Sequence, residues 1–169
     1  MKGLQRSISR GPRLTAPTLK MDIPFTKVVD IDGTAVGFGT VPLAALPEGN
    51  ILIHGIILNL TSMTRVGTDI SATFLGDTGL GTTPLSDGTM TAGDVDLIAS
   101  GTTIIAVAGV APAQRRVSPS TINDAPIDNT AGALEVNLNI LIDDADIADD
   151  DQLTVVGSLH VSYVVLGDD

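Results

Sequence analysis

There is no cysteine in the chain and no tryptophan. Disulfides, thiolate-bound zinc and a thiol nucleophile are thereby excluded, and stability has to come from packing or from oligomerisation. Aromatic residues are almost absent: Phe25, Phe38, Phe74 and Tyr163 are the full set. Surfaces that grip sugars or bases stack them on exposed rings, so this shortage argues against both ligands. No run of about 20 apolar residues occurs, so no membrane-spanning helix is expected. The strongest apolar stretch, 51–60, contains His54 and Asn59. The opening residues have no apolar core of the secretory type. They are Arg/Ser-rich and acid-poor, as transit peptides are. The Gly11-Pro12 break and the absence of an apolar helical stripe argue against that class.

What the chain does have is Ile, Val, Leu and Ala. Branched and small side chains suit the interior of a pleated sandwich. A length of 169 residues fits one domain plus a tail, enough to bury an ordinary core. Charge is placed unevenly. Lys2, Arg6, Arg10, Arg13, Lys20 and Lys27 face a single acid, Asp22, so residues 1–27 carry +5 (six bases less one acid). The remainder carries −16, from Arg65, Arg115 and Arg116 against nineteen acids, and the total is −11. A basic arm before an acidic body reads either as a solvated tail or as a segment that orders against an acidic surface on another copy or another protein. Nucleic acid is a poor partner, because the body would repel phosphate and the arm has no interleaved aromatics.

Residues 1–21 contain Gly3, Gly11, Pro12 and Pro17 without a hydrophobic period, and read as an extended arm. Residues 22–169 read as one β-domain. Strands are expected over 23–31 and 35–43, separated by Asp32-Gly33-Thr34, whose Asp-Gly pair suits the positive φ of a tight turn. Pro47-Glu48-Gly49-Asn50 is a second turn. The near-continuous apolar run 51–60 reads as a central strand covered on both faces. Further strands are expected over 69–75, 94–100, 102–110, 133–142 and 153–166. The last places Val155, Leu159, Val161, Tyr163 and Val165 on one face, and Val156, Ser158, His160, Ser162 and Val164 on the other. The Gly/Thr/Asp/Ser-rich stretch 76–93 reads as a loop, and 112–129, with three prolines, as irregular. About eight strands and no amphipathic helix point to an all-β sandwich, with a jelly roll as the leading topology.

Catalytic equipment is not apparent. His54 and His160 each lie mid-strand in apolar surroundings and read as interior or interface imidazoles. Ser and Asp are abundant, so their presence alone does not mark a triad, and no Gly-x-Ser-x-Gly elbow occurs. Gly76-Asp77-Thr78-Gly79-Leu80-Gly81 lacks the Gly-Lys-Ser/Thr ending of a phosphate loop. The run 143–151 holds Asp143, Asp144, Asp146 and Asp149. Clustered carboxylates are what calcium prefers, but the EF-hand glycine and terminal glutamate are missing, so a solvated acidic loop is the default and a calcium site the alternative. No cofactor is otherwise implied.

Ala133-Leu134-Glu135-Val136-Asn137-Leu138-Asn139, then Asp144-Ala145-Asp146-Ile147, then Leu153-Thr154-Val155-Val156-Gly157-Ser158-Leu159-His160-Val161-Ser162-Tyr163 and Leu166-Gly167-Asp168, together resemble the closing segment of small jelly-roll proteins encoded among tailed-phage head genes. Leu46-Pro47-Glu48-Gly49-Asn50-Ile51-Leu52-Ile53-His54-Gly55, running into Leu58-Asn59-Leu60-Thr61, resembles the apolar strand entry of the same group. The likeness covers roughly 23–169 and consists of strand-and-turn patterns. It implies a non-enzymatic capsid decoration (cement) protein, a homotrimer on the outer surface of the virion that bridges major capsid subunits. The Asp run is more acidic than the family pattern. On this reading Lys2, Arg6, Arg10, Arg13 and Lys20 anchor the chain to the capsid, since an irregular arm can wrap a partner and order on binding. Arg115 and Arg116 either pair with acids across a subunit interface or are ordinary loop arginines. The competing expectation is a receptor- or glycan-binding head module of a fibre or spike.

Overall fold

The computed structural model describes residues 17–33, 36–68, 70–98, 104–111, 113–117, 126–132, 134–143 and 151–167. These contain ten strands and no helix: β1 Leu19–Ile31, β2 Gly37–Ala45, β3 Gly49–Val66, β4 Leu75–Gly81, β5 Ile104–Ile105, β6 Val110–Ala111, β7 Gln114–Val117, β8 Ile127–Asn129, β9 Glu135–Asp143 and β10 Asp151–Gly167. They form two antiparallel sheets. One runs β1-β10-β3, with β6, β7 and β8 docked in turn along the far edge of β3. The other runs β2-β9-β4-β5. The protein is an all-β fold of the β-sandwich kind.

Alternation fixes which side chains meet in the core. Leu153, Val155, Leu159, Val161 and Tyr163 of β10 are buried, as the period of two requires, and Val136, Leu138, Ile140 and Ile142 of β9 face them from the other sheet. The apolar run in β3 is resolved by two β-bulges. Pairing with β10 skips His54 and Thr61, and both extra residues are exposed. Each bulge resets the parity, so that Ile51, Ile53, Ile56, Leu58, Leu60 and Met63 all point inward. The strand is central in its sheet, as its composition implies, but Leu52 and Ile57 on its outer face are only half-buried. His54 is therefore not an interior histidine.

The Asp32-Gly33 turn does not close a hairpin. Gly33 takes φ 104°, and Asp32 and Phe38 exchange backbone hydrogen bonds of 2.9 Å, but β1 and β2 belong to different sheets. The turn is a corner at which the chain changes layer.

Three further expectations are corrected. The glycine-rich stretch 76–81 is not a loop but most of β4, paired with β9 from Leu75↔Asp143 to Gly81↔Asn137. Its glycines are there for space, since a Cβ at Gly81 would run into the backbone of Asp94. The strand expected over 94–100 reduces to an isolated bridge, Leu80↔Ile98, among the described residues. The proline-rich stretch expected to be irregular supplies β7 and β8, both edge segments on β3.

Segment 82–98 lies over β9 and β4 and is held there by polar groups. Asn139 Nδ2 donates to Asp94 O (2.7 Å) and Thr83 O (2.9 Å), while its Oδ1 accepts from Thr40 Oγ1 (2.6 Å) and Leu85 N (3.1 Å). Thr82 donates twice to Asp96, and Thr91 donates twice to Asp94. β9 is thus covered on both faces, and its buried amide has every hydrogen-bonding site used.

Candidate functional site

The outer face of the β1-β10-β3 sheet carries the most organised polar group in the described structure. The register places Asp22 of β1 opposite His160 of β10, and Ser158 of β10 opposite Asn59 of β3. Ser158 and His160 are two residues apart on one strand, so both point to the same face. The side chains connect in a row. His160 Nδ1 lies 3.0 Å from Asp22 Oδ1, His160 Nε2 lies 3.1 Å from Ser158 Oγ, and Asn59 Nδ2 donates to Ser158 Oγ at 3.3 Å. Asp22 holds Nδ1–H as a donor. In the neutral imidazole Nε2 then accepts from the serine hydroxyl, and the serine oxygen accepts from Asn59. His160 and Ser158 each donate once and accept once, while Asp22 only accepts and Asn59 only donates. His160 is 40% exposed and Asp22 72% exposed, so solvent reaches the row. Of the two expected settings for His160, interior or interface, the exposure rules out only the interior.

Beside the imidazole is a groove of about 480 Å³, whose lining includes Lys20, Asp22, Gly55, Ile57, His160 and Ser162. It exists because position 55 has no side chain: a Cβ there would meet open space. Lys20 lines this groove from within β1, where it pairs with Ser162. It lies in a strand and not in an extended arm, since strand pairing begins at Leu19, three residues before the expected start of the domain at 22. A smaller recess lies where Asn129 Nδ2 donates to Leu46 O (3.1 Å) and Pro47 O (2.6 Å) and Asn129 Oδ1 accepts from Leu134 N (2.7 Å). Those bonds consume the asparagine, and its role there is to fix the turn at Gly49.

Lys2, Arg6, Arg10 and Arg13 lie outside the described residues. Arg115 and Arg116 sit in β7, paired with Asn59 and Leu58, so they are edge-strand rather than loop residues, and the Arg115 side chain is exposed. Asp143 is the exposed last residue of β9, while Asp144, Asp146 and Asp149 lie outside the described residues. Asp151, at the other end of that acidic run, is buried at the start of β10. Among the described residues no group of three or more metal-ligating side chains comes together, and no helix is long and apolar enough to cross a membrane.

Sequence reasoning did not find the Asp22–His160–Ser158–Asn59 row. Ser158-x-His160 on one strand face was its only local signal. The other two members come from strands that are distant in sequence and meet only through register.

No protein-family model matches the chain, and no curated protein matches its sequence.

Proposed function

We propose that the chain is a structural virion protein: a homotrimeric decoration protein that binds the outer surface of a tailed-phage head and stabilises its major capsid subunits. The observation that carries this reading is charge placement on the fold. The strongly basic segment lies immediately upstream of β1, and β1 is the outermost strand of its sheet, while the body is acidic. A basic segment next to an edge strand in sequence suits contact with a neighbouring acidic surface. We also infer a jelly roll. Support comes from the strand order β1-β10-β3-(β6, β7, β8) over β2-β9-β4-β5, in which early and late strands of the chain alternate within each sheet.

The test is co-sedimentation of the purified chain with undecorated heads, alongside its mass by light scattering. A trimer that saturates the heads, and binds less as salt rises, supports the proposal. A protein that ignores heads but adheres to host cells supports instead a receptor-binding head module, for which the groove beside His160 would be the docking point.

A further inference from the structure

The row on the outer sheet face has the connectivity of a nucleophile, a base and an orienting acid. We propose that Ser158 is a nucleophile that accepts an acyl group from an ester, with His160 as its general base and Asp22 as the residue that positions the imidazole. This goes beyond the structural reading above and does not rest on it.

The geometry meets the requirements in turn. A serine hydroxyl is a weak nucleophile unless a base takes its proton as the bond forms. His160 Nε2 is 3.1 Å from Ser158 Oγ, within transfer distance. The base must present Nε2 as an acceptor, and the 3.0 Å contact of Nδ1 with Asp22 selects that tautomer. Asn59 Nδ2 donates to Ser158 Oγ at 3.3 Å, which leaves the hydroxyl proton to point at the imidazole.

In the step itself, Ser158 Oγ bonds to the ester carbonyl carbon as its proton passes to His160 Nε2. The tetrahedral oxyanion collapses, the bond from carbon to the leaving alkoxide breaks, and the alkoxide takes the proton from Nε2. The products are an O-acyl Ser158 and a free alcohol, and the imidazole returns to its starting state. Because Asp22 and His160 are solvent-accessible, the acceleration belongs to positioning and proton transfer more than to a desolvated site.

The experiment is to incubate the full chain with p-nitrophenyl acetate and, separately, a fluorophosphonate probe, and to locate the adduct by peptide mass spectrometry. Wild type is compared with Ser158→Ala, His160→Gln and Asp22→Asn, and the thermal melt of each variant confirms that it folds. The expected result is one dominant adduct on Ser158. It is absent in Ser158→Ala and formed about a hundredfold more slowly in His160→Gln. The wild-type rate follows a single deprotonation that His160→Gln abolishes, and Asp22→Asn displaces that pH profile. Adducts spread evenly over serines and lysines, or a Ser158 adduct whose rate and pH profile survive His160→Gln in a folded protein, would overturn the proposal.

Discussion

Asn139 shows how one polar side chain can decide the shape of a surface. Its amide spends both donors and its acceptor on segment 82–98 and on Thr40, in a site with no solvent access. Asn139→Ala leaves the Thr83 and Asp94 carbonyls and the Leu85 N–H without their partner. The expected loss, by urea unfolding, is about 2–4 kcal/mol. Ala108 is the opposite case. The two-residue turn Val107-Ala108-Gly109-Val110 holds Ala108 at φ 53° and Gly109 at φ 78°, with hydrogen bonds closing it in both directions. Alanine is a poor residue for that conformation and asparagine a good one, so Ala108→Asn should raise stability by about 0.5–1 kcal/mol in the same assay. A third residue titrates. Asp128 accepts from the hydroxyl and the N–H of Thr130, and these bonds hold its carboxyl below the ordinary carboxylate range. A lowered folded pKa means that the bonds favour the closed turn above the ordinary range and are lost as pH falls through the lowered value. The amide protection factor of Thr130 should accordingly fall on acidification, and Asp128→Asn should remove that dependence.

At the scale of elements, what the sequence made legible depended on length and period. β1, β2, β3, β9 and β10 are long enough to show alternation; four of them were expected within a few residues of where they lie, and β3 was expected to end at 60 but runs on to Val66. β4 was not, because Gly76, Gly79 and Gly81 imitate a loop when their purpose is close approach by the neighbouring segment and by β9. β7 and β8 are four and three residues long, too short to carry a period beside three prolines, and only the long edge of β3 makes strands of them. The side-chain row was hidden for another reason. Asp22 meets His160 only through the β1–β10 register, and Asn59 meets Ser158 only once the bulges at His54 and Thr61 have set the register of β3 against β10. The N-terminal boundary yields a prediction. Removing residues 1–16 leaves β1 whole and should leave the melting temperature unchanged, while weakening head binding. Removing 1–31 takes away the strand that packs Phe25, Val29 and Ile31 into the core and should abolish folding, as read by near-UV circular dichroism and by tryptic resistance.

At the scale of the whole molecule, the sandwich has two differently finished sides. The β2-β9-β4-β5 sheet is closed over by segment 82–98, whose polar groups are spent on β9 and on one another. The β1-β10-β3 sheet keeps an open outer face with the groove and the Asp22–His160–Ser158–Asn59 row. β1, its outermost strand, is blunted by Pro24 and by Lys27, which shares the inward parity of Phe25 and Val29 yet is exposed. Those features discourage indiscriminate edge pairing. The decoration role proposed above requires more than binding: the protein would have to make the shell harder to open. The most direct measurement is therefore the rupture temperature of DNA-filled heads, followed by release of a DNA-binding dye, with and without a saturating amount of the protein. The proposed role requires a clear rise with the full chain and a smaller one without residues 1–16. A rupture temperature that does not move at saturating protein would contradict it.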